Sequence, residues 1–312
     1  MTDRVTDPGP DLTAEAAIII PHYNDVVRLA RCLRALLPQI GPGVELIVVD
    51  NGSTQDLAPL RAEFPGLRLV VEPRKGAAEA RNRGLAETSA PALFFLDCDC
   101  VPAPDWLACA RRIAGQADVI GGRIEVFDEP APGSLAPEPL APARTGAQAF
   151  EAVFAFDNRA YVERKGFSVT ANLLTRRAVM QATGPFVAGL SEDLDWCQRA
   201  RAKGFSLIYA DDLRVGHPSR GDWDALRRKW HRLTQESFAL QDQSRGGRAI
   251  WGRAIWGLRA LAMPLSIAAH LPRLWRAPDL TPGERWRGAA TLTRLRLRRM
   301  VWMLAQALGQ KI

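Results

Sequence analysis

The 312-residue chain is 47% hydrophobic, 24% charged and 7% aromatic, a globular composition that excludes disordered, collagen-like and disulfide-scaffold proteins and allows about two domains. Its net charge of +7 is unevenly spread: residues 1–243 carry 28 basic and 32 acidic side chains, whereas 244–312 carry 13 and 2. The basic end seeks an anionic partner, lipid or nucleic acid, while the body has the balance of an ordinary acidic enzyme. Five cysteines without a CxxC pair suit a reducing cytosol and suggest neither a disulfide framework nor a zinc site.

In chain order, residues 1–15 are polar, hold two prolines and lack the apolar run of a secretory signal, so a disordered tail is expected. Ala17–Ile20 reads as a buried strand ending at Pro21. The apolar spacing of 25–37 gives an amphipathic helix that stops near Pro38. Val44–Val49 is a second strand, 57–63 a short helix, 67–71 a strand, 76–87 a helix and Leu93–Leu96 a strand. Continuous apolar strands alternating with helices imply parallel βα units, whose ligands sit at the carboxyl ends of the strands. Those ends read Pro21-His22-Tyr23-Asn24, Asp50-Asn51-Gly52-Ser53 and Asp97-Cys98-Asp99.

Further along, 106–115 is predicted helical and 119–127 contains a strand. A proline-rich surface loop fills 128–146. Phe167–Leu174 is expected to be strand-like, 176–183 helical, and 192–203 a helix closed by Gly204; two strand segments, 205–210 and 213–217, follow. From about residue 221 the pattern becomes helices rich in Arg and Trp, with Trp251, Trp256, Trp275, Trp286 and Trp302 in the last 69 residues. Such helices suit a membrane interface. The best apolar stretch, 260–269, is half the roughly 20 residues a spanning helix needs, so lying on a membrane is expected rather than crossing it. No nucleic-acid motif accompanies the basic charge.

Two carboxylates on alternate residues at a strand end, Asp97 and Asp99, can share one ligand: one holding a divalent ion, the other a ribose hydroxyl or the ion's water. Around them, residues 17–24, ELIVVDNGSTQD at 45–56, GAAEARNRGLA at 76–86, LFFLDCDCVPAPDWL at 93–107, NLLTRRAVMQATGPF at 172–186, EDLDWCQR at 192–199 and GFSLIYADDLRVGH at 204–217 resemble family 2 glycosyltransferases in order and spacing. The resemblance implies an α/β fold of the GT-A type over 16–220, with a nucleotide half (16–102), an acceptor half (103–220) and a basic helical extension over 221–312.

By the same resemblance, Pro21, Tyr23 and Asn24 border the pocket for the nucleotide base. Asp50 hydrogen-bonds that base, typically uracil, with Asn51 where the family usually has a second acid. Gly76, Arg81 and Asn82 pack against the nucleotide, Gly76 by permitting close backbone approach; bracing the strand-end loops is the alternative for Arg81 and Asn82. Asp97 reaches the ribose or metal, Asp99 binds Mn²⁺ or Mg²⁺, and His217 lies near the diphosphate or metal. Asp193 becomes the general base, Glu192 supports the loop or acceptor, and Trp196 is acceptor wall or core. The implied activity is inverting transfer of a sugar from a nucleotide diphosphate, UDP-linked by preference, to a saccharide or lipid-linked acceptor at the cytoplasmic face of an inner membrane. A polyprenyl-phosphate glycosyltransferase and a non-catalytic membrane scaffold are the alternatives.

Overall fold

A computed structural model describes residues 14–129, 143–189, 191–243 and 249–312. The expected disordered start and most of the proline-rich loop lie outside the described residues. The chain forms two compact units, one of residues up to 125 with 157–217, the other of 126–156 with 218–312. The stretch 126–156, assigned from sequence to the acceptor half, thus groups with the C-terminal helices.

In the first unit the elements run β1 (Ala16–His22), α1 (Val26–Leu36), β2 (Val44–Asp50), α2 (Ala58–Glu63), β3 (Arg68–Val71), α3 (Ala77–Ala86), β4 (Ala92–Leu96), β5 (Val101–Pro102), α4 (Trp106–Ile113) and β6 (Val119–Phe127). The second unit then contributes α5 (Gly146–Phe154), after which come α6 (Asn158–Ala160), β7 (Asn172–Arg176), α7 (Arg177–Thr183), α8 (Glu192–Ala202) and β8 (Leu207–Pro218). The sheet order is β3-β2-β1-β4-β7-β6-β8-β5. β3, β2, β1 and β4 are parallel, whereas β7 pairs antiparallel with β4 and β6, and β5 antiparallel with β8.

Alternation along β1 explains the layering. Ile18 and Ile20 face Leu29, Leu33 and Leu36 of α1 and Trp106 of α4. Ala17 and Ile19 face the opposite layer, with Ala78 of α3, Val179 and Met180 of α7, and Trp196 and Ala200 of α8. Both sides of the sheet are covered here, so 16–20 of β1 and 92–96 of β4 are apolar throughout. Where the parallel half meets the antiparallel half, fully buried Asn172 donates to the carbonyls of Arg123 (3.0 Å) and Leu213 (2.8 Å) and accepts from the Trp106 indole (2.9 Å). Gly122 makes room for it, since a Cβ there would overlap the Asn172 amide.

The elements differ from the sequence reading in two places. Of the expected strand at 167–174 only 172–174 is strand, and it runs on to Arg176, where a helix was expected to begin. Residues before it form a buried loop in which Ser168 pairs with Asn158 and Thr170 with Asp193. The two expected strands at 205–217 are one, β8, because Asp211 stays on the strand by pairing with Arg123 (3.5 Å) and Arg159 (3.0 Å). Gly204, with φ +87°, does close α8.

The second unit continues with α9 (Trp223–Gln243), α10 (Ala249–Leu261), α11 (Leu265–Trp275) and α12 (Pro282–Ala307). Its core joins Ala149 and Phe150 of α5, Leu226 of α9, Leu274 of α11, and Leu292 and Leu295 of α12. Capping boxes start α5 (Thr145 with Gln148) and α12 (Thr281 with Glu284).

Candidate active site

The ends of β1, β2 and β4 converge as parallel pairing requires. His22 stands in register with Asp50, and its Nδ1 lies 3.0 Å from the carboxylate. The His22 Nε2 accepts from the Asp25 amide at 3.1 Å, so the ring proton belongs on Nδ1, donated to Asp50. The second Asp50 oxygen accepts from the Ser53 amide (3.1 Å). Asn24, with φ +49°, accepts from the amides of Thr54 and Gln55. Asn51 is fully engaged as well. Its amide donates to the carbonyls of Glu72 (3.0 Å) and Arg74 (2.7 Å), and its oxygen accepts from the Gly76 amide (2.7 Å). Loops after β1, β2 and β3 are thereby locked into one rim, from which Tyr23 projects, half exposed.

Arg81, on α3 and only 4% exposed, is the electrostatic hub. Its guanidinium donates to Asp97 (2.6 Å) and Glu192 (2.9 Å). Burial opposes its charge, but Asp97, Asp193 and Glu192 together hold its pKa above the ordinary value. Asp193, in the first turn of α8, accepts from the Thr170 hydroxyl at 2.8 Å. Burial pushes its pKa up to about 7; Arg81 opposes the rise, and the like charges of Glu192 and Asp97 add to it. A carboxyl titrating there suits a general base at neutral pH.

On the other side of Asp97, Asp99 Oδ2 lies 3.4 Å from His217 Nε2. Neighbouring ligands about 2.1 Å from an octahedral ion stand roughly 3 Å apart, so this oxygen–nitrogen pair fits two positions on one cation. Among the described residues no three candidate ligands form a complete metal cluster. A cation there would draw its other ligands from substrate phosphates and water, as magnesium-like ions do. Burial raises the thiols of Cys98 and Cys100 well above the usual range, with Asp99 and Asp97 adding to the shift. A thiol shifted in that direction is disfavoured as a thiolate, the form in which cysteine acts as a nucleophile.

The family model for "Glycosyl transferase family 2" matches residues 17–179. Glycosyltransferase AglE of Haloferax volcanii is 30% identical over 225 residues, 69% of this chain and 70% of that protein. The chain belongs to glycosyltransferase family 2. Succinoglycan biosynthesis protein ExoO of Rhizobium meliloti is 30% identical over 38% of this chain and 34% of its own length. Among solved structures, Staphylococcus aureus TarS 1–349 with UDP-GlcNAc has TM-score 0.51 at 16% identity, covering 95% of this chain and 92% of that one. Mannosyltransferase PcManGT from Pyrobaculum calidifontis, with GDP-Man and Mn²⁺, has TM-score 0.50 at 19% identity, covering 98% and 78%. These likenesses show the GT-A fold, and the protein is a glycosyltransferase.

Within this glycosyltransferase the expected site residues fall into three groups. Asp97, Glu192 and Asp193 are brought together around Arg81, with Asp99 two residues on from Asp97 and His217 of β8 against Asp99. Pro21, Tyr23, Asn24, Asp50, Asn51 and Gly76 lie on the strand-end rim, where the Asn24 side-chain oxygen and both ends of the Asn51 carboxamide are spent on loop geometry. Asn82 and Trp196 are structural instead. Asn82 exchanges both hydrogen bonds with the Phe186 backbone. Trp196 is fully buried against Phe186, its indole donating to the Gly184 carbonyl; as core it offers no wall to an acceptor. Sequence reasoning passed over His22, although its place opposite Asp50 follows from pairing the two parallel strands. It also missed Thr170, which no sequence signal marks.

Proposed function

We propose that the enzyme transfers a sugar from a nucleotide diphosphate donor, UDP-linked by preference, to a hydroxyl of a saccharide or lipid-linked saccharide, with inversion. Asp193 takes the acceptor proton as the hydroxyl oxygen attacks the anomeric carbon. The bond from that carbon to the diphosphate oxygen breaks, and the electron pair leaves with the diphosphate. Asp99 and His217 would hold Mn²⁺ or Mg²⁺, which when bound neutralises charge on the leaving diphosphate. Asp97 is oriented by Arg81 toward the ribose or the ion's water. The observation that carries this reading is Asp193, raised to about 7 beside the one guanidinium that also grips Asp97.

The nucleotide sugars bound to PcManGT and TarS, and the Mn²⁺ bound to PcManGT, support the donor and ion classes; their different bases leave the preference for uracil resting on Asp50. The name of ExoO supports a polysaccharide setting. Location at an anionic membrane, on the cytoplasmic face, rests on the second unit. No single described helix is long and apolar enough to cross a membrane; Trp251–Leu261 and Leu265–Trp275 together have the length but bend by 50°.

The test pairs a thermal-shift panel of UDP-, GDP- and dTDP-sugars, with and without Mn²⁺, with transfer assays. A donor at 100 times its dissociation constant adds about 2.7 kcal/mol of stability. Asp193→Asn should keep that donor shift and lose about 10²–10⁴-fold in kcat. In the native enzyme kcat/KM should climb with pH through about 7, since the base works deprotonated. Retained anomeric configuration, or an Asp193→Asn enzyme of undiminished rate, defeats the mechanism.

A further inference from the structure

Arg81 supplies charge to Asp193 but does not orient it. Its terminal nitrogens go to Asp97 (2.6 Å) and Glu192 (2.9 Å). The hydrogen bond to the Asp193 carboxylate comes from another element: the Thr170 hydroxyl stands 2.8 Å from Oδ1. An ionised carboxylate can only accept, so the hydroxyl donates. Among the described residues no other group donates to this side chain, and Oδ2 is left open.

Thr170 is buried, in the loop that runs from Gly166 to β7. That loop is tied down at each step. A π-helical turn, Tyr161–Lys165, precedes it, closed by the Phe167 amide donating back to the Tyr161 carbonyl (3.1 Å). Such turns are rare and recur at functional sites. Gly166 then takes φ +71°, and a Cβ there would overlap the Arg201 guanidinium. Buried Asn158 donates to the Gly122 carbonyl of β6 (2.7 Å) and to the Ser168 hydroxyl (3.1 Å), and accepts from the Val169 amide (3.3 Å). The Cys197 thiol donates to the Ser168 carbonyl (3.7 Å). The loop thus hangs on α6, on β6 and on α8, the helix that carries Asp193 itself. A β-branched side chain adds its own stiffness at χ1, so the hydroxyl is held against the acid.

We infer that Thr170 is a positioning residue for the transfer reaction: its hydroxyl fixes Asp193 Oδ1 and presents Oδ2 to the proton of the acceptor hydroxyl. This role rests on Asp193 being the general base, and Thr170 itself touches no reacting atom. The proton passes to Oδ2 while the O–H electron pair stays with the acceptor oxygen. A hydrogen bond donated to the ionised acid also favours that form. Burial raises the Asp193 pKa, with Glu192 of α8 and Asp97 after β4 adding to the rise; Arg81 of α3 and the Thr170 hydroxyl oppose it. Cys197, one turn along α8, is raised to about 12 by burial and stays neutral while Asp193 titrates.

Thr170→Val keeps the shape and removes the hydroxyl, whereas Thr170→Ser keeps the hydroxyl. Transfer by the full-length protein is followed across the pH range for both, beside Asp193→Asn. Thr170→Val should lower kcat at neutral pH by about tenfold or more and move the kcat/KM midpoint upward by about one pH unit or more, the size of a lost hydrogen bond to a charged group. KM for the donor and the donor-induced thermal shift should stay native. Thr170→Ser should restore both the rate and the midpoint. Melting curves give a readout that needs no turnover: Thr170→Val should lose more stability above about pH 7, where Asp193 is ionised, than below it, and in the Asp193→Asn background the loss should no longer depend on pH. If Thr170→Val does not fold, Thr170→Ala carries the same measurements. A native midpoint and rate in the hydroxyl-free variant while Asp193→Asn is crippled, or a stability loss with no pH dependence, overturns the positioning role alone. An Asp193→Asn enzyme of undiminished rate overturns the general base, and with it the role of Thr170.

Discussion

Arg81 separates three carboxylates that would otherwise repel one another. Arg81→Gln should destabilise the protein by about 3–5 kcal/mol, the usual cost of breaking a buried ion pair. The loss should be greatest above about pH 7, where Asp193 is ionised, and should shrink below it. Any remaining activity should rise at higher pH than in the native enzyme, because Arg81 is what opposes the upward shift of Asp193. Thermal melts and pH–rate profiles across pH 5 to pH 9 check both. The native protein already carries part of this dependence. Folded Asp193 keeps its proton to about pH 7, while an unfolded aspartate releases it near 4. The folded state binds more protons across that window, so this group's contribution to stability falls as pH rises through it. The acids of the site were legible because polar residues at the ends of apolar strands are conspicuous. Trp196 and Asn82 were not, because one turn of helix past an active-site acid can face either the groove or the core, and only the packed neighbours decide which.

The rim shows how loops become rigid. Asn51 faces two carbonyls and one amide, a combination only a carboxamide satisfies. Asn51→Asp, restoring the acid usual in the family, should set a carboxylate against the Glu72 and Arg74 carbonyls. The expected cost is about 1–3 kcal/mol, larger at pH 8 than at pH 5, where the new acid can protonate and donate one bond. Melting curves at the two values test it, and an unchanged melt at pH 8 would reject the account. The parallel half of the sheet was readable because each of its strands carries an apolar run of three or more residues. β8 was read as two pieces because Asp211 and Asp212 interrupt its pattern, and an exposed strand tolerates such residues when arginines pair with them. The loop before β7 looked like strand because Ser168 and Thr170 are buried by polar partners distant in sequence.

Over the whole molecule, net positive charge and exposed large apolar side chains are concentrated in the second unit. Trp251, Leu258, Leu261, Leu265 and Trp286 are all exposed, whereas Trp256 is buried in the helical core. If these groups meet a bilayer, Trp251→Ser/Trp286→Ser should reduce flotation with anionic vesicles by about tenfold or more, from the burial energy of two large side chains, without changing donor-induced thermal shifts. Flotation indifferent to both substitutions removes the membrane reading. The sequence revealed the basic, helical character of this unit but not its membership, since nothing in residues 146–154 announces which distant helices will cover them.

That membership orders assembly in time. The helix carrying Phe150 and Glu151 is synthesised well over a hundred residues before the last helix that covers it, so a growing chain must carry an uncovered apolar face until translation is nearly finished. The strands from Ala16 to Leu96 wait for less, since the four parallel strands are already in hand and the β7 strand and helices that complete their cover end by residue 202. Truncation anywhere in the final helix should strand the early one, leaving a sheet that can form beside a sticky, unfinished bundle.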